Sequence, residues 1–471
     1  MKLKLSISLL IFCSSWFGYC QTSNPRHPAE WEEISSVIME FRYFKNSDES
    51  WDEALDPFIK TAKACIEEGI NLYILKPSNN SKYRHQANLD FIFKARNINS
   101  PFVHIISKDT ILGSYPWARD HGMNFVYKND VEQAYLYNFS EDYTGDFIAK
   151  QLNYPNAIIT PKNNNDYYTD GGNFLTDGHG TFNIAATDIT EDLPTSLELK
   201  YDYFYQYFGI LKTLNILAPF VHVDYFLKLI NEETAIISYI PNNNYDISID
   251  EYYDHQYYID QAVISISHYL KSAFGRELKF IPIQNAPTTY DKKTETILHT
   301  SKATYTNSLI LNKTVLVPQY NIEPFDSIAL NTYKKTMSGY KIVGVNCKQY
   351  GEFSGAIHCL THEIYANNPI YIKHKWHQGI VKNNLGGFPI SVVAKSSDGI
   401  KKAILYWKTN QTLTYQSLQM KNIENDIFEA IIPAEKSGTT INYYIKIQNN
   451  NGKVIQKPMV APKYSYSFII K

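Results

Sequence analysis

The chain has 471 residues, a length that suggests two or three domains, and 44% hydrophobic against 20% charged residues is the balance of a globular protein with a large core. Its 45 basic and 47 acidic residues leave a net charge of −2. No basic field recommends nucleic acid or an anionic membrane as a partner.

The first residues read as a processing signal. Lys2 and Lys4 form a positive start, Leu5 to Phe17 an apolar run, and Gly18-Tyr19-Cys20 offers small residues for cleavage before Gln21. The run is short of the ~20 residues that span a bilayer. A signal peptide over 1–20 is expected, with no membrane span and an exported protein, periplasmic or secreted. Phe17-Gly18-Tyr19 is a poor context for a lipid on Cys20.

A strand is expected from Ser36 to Phe41, then a helix from Trp51 to Glu68. Ser50 and Glu53 open that helix as a capping box, and Leu55, Phe58, Ile59, Ala62, Cys65 and Ile66 form its apolar stripe. A strand at Asn71 to Leu75 follows. Strand–turn–strand patterns then run from Asn124 to Phe139, Asn173 to Ala185, Tyr225 to Ile240 and Asn307 to Tyr320. Between and after them the pattern predicts helices at Thr195 to Leu214, Asp254 to Phe274 and Ser327 to Met337, with strands at Lys279 to Ile283 and Lys341 to Val345. This makes about five ββαβ-like modules without a fixed period, which argues for a radial arrangement over a solenoid.

From Asn383 the texture changes. Asn383-Asn384-Leu385-Gly386-Gly387-Phe388-Pro389 reads as a linker, and alternating strands follow: Lys402 to Lys408, Thr412 to Leu418, Ile427 to Ile432, Thr440 to Gln448 and Lys453 to Gln456. A cysteine-free β-sandwich of the immunoglobulin or fibronectin type is expected over 383–471, with Trp407 in its core. The main domain would occupy 28–382.

Export permits disulfides, but Cys13 and Cys20 fall in the leader and Cys65 and Cys347 read as core residues. Cys359, in Gly355-Ala356-Ile357-His358-Cys359-Leu360-Thr361-His362-Glu363, is the thiol without a packing reason. Upstream lie Trp117-Ala118-Arg119-Asp120, Asp170-Gly171-Gly172-Asn173 and His222-Val223-Asp224. A thiol, a histidine and two carboxylates suffice to attack a guanidinium carbon: nucleophile, proton carrier and grip on the cation. Each cluster has a plainer reading alone: a surface ion pair at Arg119-Asp120, a turn at the paired glycines, a structural His222–Asp224 pair. His358, Cys359, His362 and Glu363 also invite a metal site, but no second Cys/His cluster completes one. A Cys359–His222 protease dyad would not require both aspartates.

In this order the clusters resemble the guanidine-modifying superfamily with the pentein fold, a five-bladed α/β-propeller. Within it, the nearest likeness is to the Porphyromonas-type peptidylarginine deiminases, with agmatine deiminases as cousins. Thr306-Asn307-Ser308, Ala329 to Lys334, Asp177-Gly178 and Tyr371 to His374 add to the resemblance. It implies Cys359 as nucleophile, His222 as general acid/base, Asp120 and Asp224 as the guanidinium-binding carboxylates, and Asn307 as an active-site amide. Trp117, Asp177 and Arg119 would be substrate-binding. The implied reaction converts peptidyl or protein arginine to citrulline and ammonia through a covalent thiouronium, with no metal or organic cofactor. Agmatine or another small guanidine is the alternative substrate, and a non-catalytic binding or adhesion protein the alternative of another class. One departure stands out. Where the peptidylarginine deiminases carry two arginines that clamp a C-terminal carboxylate, this chain reads Tyr137-Asn138-Phe139-Ser140-Glu141-Asp142.

Overall fold

The structure, a computed structural model, describes residues 24–41, 51–77, 89–108, 116–120, 123–138, 144–158, 171–188, 204–218, 222–240, 249–291, 296–300, 303–352 and 355–471. The expected leader, Asp170 and the Glu141-Asp142 pair lie outside these residues.

Five sheets repeat one plan, an antiparallel strand pair whose second strand takes a third strand in parallel. Met123–Lys128 pairs antiparallel with Glu132–Asn138, which pairs parallel with Asn156–Ile158. The same order recurs in Leu175–Thr176, Asn183–Asp188 and Thr213–Ala218. It recurs again in Leu227–Asn231, Thr234–Tyr239 and Lys279–Gln284, and in Leu309–Leu311, Thr314–Gln319 and Lys341–Asn346. A parallel third strand needs a crossover, and helices supply it: Thr144–Gln151, Ile249–Tyr269 and Phe325–Thr336. The fifth sheet joins distant parts of the chain. Thr361–Tyr365 pairs antiparallel with Ile34–Glu40, which continues in parallel to Asn71–Pro77 and Val103–Lys108.

Local chemistry explains the turns. Asn129 and Asp130 take positive φ at the first hairpin, Gly178 and Gly180 at the second, Asn312 at the fourth. Helix Trp51–Glu68 buries Leu55, Phe58, Ile59, Ala62 and Cys65 in the shared core of the five sheets. The helix expected over Thr195 to Leu214 is corrected: residues 204–208 are helical, Gly209 turns at φ 68°, and Thr213–Ala218 is a strand parallel to Asn183–Asp188. The backbone of Gly209 meets that of Pro25, where a Cβ would have no room, so the helix stops there.

The C-terminal β unit has two sheets around a second core containing Ile390, Val392, Leu405, Trp407, Tyr443 and Ile445. Phe388–Lys395, expected partly as linker, is a strand whose alternating burial faces this core. Tyr371–Lys373 pairs with it and Ile380–Val381 pairs with Tyr466–Ile470, so strands of this unit begin ahead of residue 383.

Candidate active site

The site is assembled from the short segments that enter the first strand of each hairpin. Ala118–Asp120, Gly171–Asn173 and Val223–Tyr225 are single 3₁₀ turns leading into Met123–Lys128, Leu175–Thr176 and Leu227–Asn231. Asn307 precedes Leu309–Leu311, and Cys359 precedes Thr361–Tyr365. Five entry segments thus bring the candidate residues to one place.

Cys359 lies at its centre, 3% exposed. Its Sγ is 3.1 Å from Asn307 Nδ2 and 3.6 Å from Asp224 Oδ2. Asn307 is fixed from both ends: Oδ1 accepts the Ala356 and Cys359 N–H groups at 3.1 and 3.2 Å, and Nδ2 also donates to Asp224 Oδ2 at 3.1 Å. Backbone donors on one end force the amide hydrogens toward the thiol. The Asn307 loop is itself braced. Tyr333 Oη donates to Tyr305 O at 2.8 Å, and Thr306 Oγ1 to Tyr225 O at 2.9 Å.

His222 Nδ1 and Asp120 Oδ1 stand 3.8 Å apart, both partly open to solvent. Gly172 passes under them: a Cβ there would meet His222 Nδ1 at 2.6 Å and Asp120 Oδ1 at 3.3 Å. The Trp117 ring covers Gly355 so closely that a Cβ would have no room, and it meets Tyr350 edge-on. Trp117 therefore walls the Cys359 turn.

Burial first, then the charges of Asp224 and Asp120, push the Cys359 thiol well above its ordinary range, with the Asn307 hydrogen bond opposing. Burial would also raise Asp224, but the hydrogen bond and charge of His358, with His222 and Arg119, hold it below the usual carboxylate range. Asp224 is fully buried and its Oδ1 has no hydrogen-bond partner among the described residues.

Two residues expected to bind substrate have protein partners in the structure. The Arg119 guanidinium is buried, paired with Glu363 at 2.6 Å, and its Nε donates to His358 O at 3.2 Å. Its backbone N–H donates to Cys359 O. Arg119 is thus tied to the Cys359 turn by its backbone, its Nε and its Glu363 pair. Asp177 Oδ1 accepts the His179 and Thr181 N–H groups in the second hairpin turn, at the far end of the strand from Gly172. Its carboxylate closes a turn.

His358 was singled out by the sequence only within a metal-site reading, and Glu30 not at all. His358 Nδ1 lies 2.7 Å from Asp224 Oδ2, and Nε2 lies 3.2 Å from Glu30 Oε1. Glu30 is ion-paired with the wholly buried Lys228. Only the adjacency of His358 to Cys359 could have flagged the first; nothing local marks Glu30. Glu30, His358 and Glu363 bring ligand atoms within 4.8 Å of one another, a donor set of metal-site type. Lys228 and Arg119 already neutralise the two carboxylates, which argues against a cation there.

The family model of the Porphyromonas-type peptidyl-arginine deiminases matches residues 26–364. A Legionella pneumophila (strain Philadelphia 1) protein, provisionally named an agmatine deiminase, is 23% identical over 262 residues, 52% of this chain and 71% of that one. The agmatine deiminase of Enterococcus faecalis superposes with a TM-score of 0.56 at 18% identity, covering 73% of this chain and 96% of its own. A Porphyromonas gingivalis protein, provisionally named an arginine deiminase, gives 0.55 at 18% identity, covering 73% and 99%. At such identities the structural likeness speaks for the fold.

Proposed function

The chain belongs to the Porphyromonas-type peptidyl-arginine deiminase family, a hydrolase of guanidino C–N bonds in the pentein superfamily, and on that premise we propose that it converts arginine within peptides or proteins to citrulline. In this reading the five modules are the blades of an α/β-propeller, the C-terminal unit is an immunoglobulin-like domain, and the first 20 residues direct export. One observation supports the chemistry most: a buried thiol 3.6 Å from a carboxylate whose other oxygen has no partner among the described residues, with a second carboxylate and a histidine alongside.

The guanidinium lies between Asp224 and Asp120, each charge-assisted hydrogen bond contributing about 1.5–3 kcal/mol. The Cys359 proton passes to His222 as Sγ bonds to the guanidinium carbon. His222 returns that proton to a terminal nitrogen of the tetrahedral adduct, the C–N bond breaks, and ammonia leaves a thiouronium on Cys359. Water then attacks the same carbon, giving its proton to His222. The C–S bond breaks with return of a proton to sulfur, and the ureido product departs.

Agmatine is the second reading, favoured by the relatives named for it and by Glu141-Asp142, which would repel a substrate carboxylate. A colorimetric ureido assay on agmatine, free arginine, and peptides with internal or C-terminal arginine separates the two. Peptidyl arginine is expected to give the highest kcat/KM and Cys359→Ala to abolish turnover. Preference for agmatine moves the assignment, activity without the thiol removes the nucleophile, and silence on all substrates favours a binding protein.

A further inference from the structure

Behind the candidate site runs a buried file of alternating donors and acceptors. Lys228, wholly buried, pairs with Glu30; Glu30 Oε1 lies 3.2 Å from His358 Nε2; His358 Nδ1 donates to Asp224 Oδ2 at 2.7 Å. His358 and Asp224 are both 0% exposed and 134 positions apart in sequence. Asp224 Oδ2 thus receives His358 and Asn307 Nδ2, with Cys359 Sγ at 3.6 Å, while Oδ1 receives none of the described residues. An unmet buried acceptor is costly unless a ligand meets it. A carboxylate free to rotate could exchange its two oxygens, and two donors on Oδ2 prevent that.

We propose that Glu30 and His358 are positioning residues that, anchored by Lys228, lock the Asp224 carboxylate so that Oδ1 alone is presented to a guanidinium N–H. The proposal rests on the assignment of Asp224 as a guanidinium-binding group. It explains why an ionisable file is kept in a dry interior, where a buried ion pair is weak evidence for stability in its own right. It also explains the residue before the nucleophile, since the turn that presents Cys359 presents the ring that orients its neighbouring carboxylate. A group that fixes first-contact geometry is a common support for a preorganised site.

Two substitutions separate orientation from mere packing. His358→Asn keeps an amide nitrogen near the place of Nδ1 and loses the reach to Glu30, whereas His358→Gln keeps the place of Nε2 and loses the donor to Asp224. With the substrate preferred by the wild-type protein, His358→Gln is expected to raise KM at least 10-fold and His358→Asn no more than about 3-fold, with similar Tm. Equal KM for the two variants overturns the proposal. Glu30→Gln, which preserves shape and an acceptor, is expected to raise KM several-fold; an unchanged KM counts equally against it and serves if the histidine variants do not fold. Crystal structures supply a readout independent of turnover: the Asp224 carboxylate rotates in His358→Gln and not in His358→Asn. An unrotated carboxylate in the Gln variant overturns the positioning role, whereas absence of guanidine turnover by the wild-type protein overturns only the proposed reaction.

Discussion

Cys359 is the residue on which the proposed chemistry turns, and its surroundings disfavour the reactive form. Burial and the neighbouring carboxylates of Asp224 and Asp120 lift the thiol well above the ordinary value near 8.5, so the free protein holds it protonated at neutral pH. In the proposed reaction, a guanidinium seated between the two aspartates would cancel their repulsion where it matters. Ionisation is thereby tied to the presence of a cation, which protects the thiol from incidental reaction. Iodoacetamide, a neutral reagent, is therefore expected to label Cys359 slowly at pH 7.5, with a rate still climbing at pH 9. Asp224→Asn removes one negative charge 3.6 Å from sulfur. It should speed labelling at pH 8 about 10-fold, while turnover is lost. Labelling that is unchanged or slower in that variant rejects the electrostatic account. Arg119 teaches the complementary lesson at this scale. Sequence shows a charge beside Asp120 but not its direction, and the Glu363 carboxylate that claims it enters from the fifth sheet.

At the scale of elements, the unit is a 3₁₀ turn or short loop feeding a hairpin, and much of it was legible. Apolar alternation and Asn/Gly turns marked the four hairpins, and the helix at Trp51–Glu68 has the bounds its stripe and cap imply. The closing sheet was not legible, because Thr361–Tyr365 and Ile34–Glu40 pair across nearly the whole chain and no local signal encodes a partner. Asp177 misleads for a related reason: Asp-Gly is a turn signature and a motif fragment alike, and its Oδ1 is spent on the turn. Glu30 was missed, and His358 read only within a metal site, because their partnership exists only once two distant segments meet. The paired glycines looked weak in sequence and gain meaning from space. Gly172 is where the second entry turn slides beneath His222 and Asp120. In Gly172→Ala the methyl must displace the imidazole, since it would sit 2.6 Å from Nδ1. Overpacking of this kind costs about 1–3 kcal/mol. The expected result is a fall in kcat of about 100-fold, from the misplaced proton carrier, with the iodoacetamide labelling rate of Cys359 within a factor of about two. A kcat near wild type would show that His222 tolerates the shift and is not held by this contact.

For the whole molecule, the same hairpins that gather the site at their entry ends present their turns to the C-terminal β unit. Lys395 Nζ pairs with Asp130 Oδ2 at 2.7 Å in the first hairpin turn, Tyr371 Oη meets His179 Nδ1 at 2.7 Å in the second, and Lys457 Nζ pairs with Glu232 Oε1 at 2.6 Å in the third. A strand such as Leu227–Asn231, at roughly 3.4 Å per residue, separates these contacts from Cys359 and its neighbours. The β unit therefore braces the modules from the opposite end, and these three contacts leave the candidate site untouched. Glu232 is the critical brace, 2% exposed. Burial would raise its pKa, yet Lys457 and His179 hold it below the usual carboxylate range. A depressed folded pKa contributes stability that is fully present above the unfolded value of about 4.3 and is lost as pH falls below it. Lys457→Met strands the Glu232 charge, which costs ~3 kcal/mol for a pair whose lysine keeps some solvent. The variant should melt several degrees below wild type at pH 7, with the gap narrowing below about pH 4 as Glu232 takes up a proton. At 25 °C its kcat/KM should equal that of wild type. A Tm gap that does not narrow with acid would mean the loss is one of packing, and a fall in kcat/KM at 25 °C would mean the brace reaches the site after all.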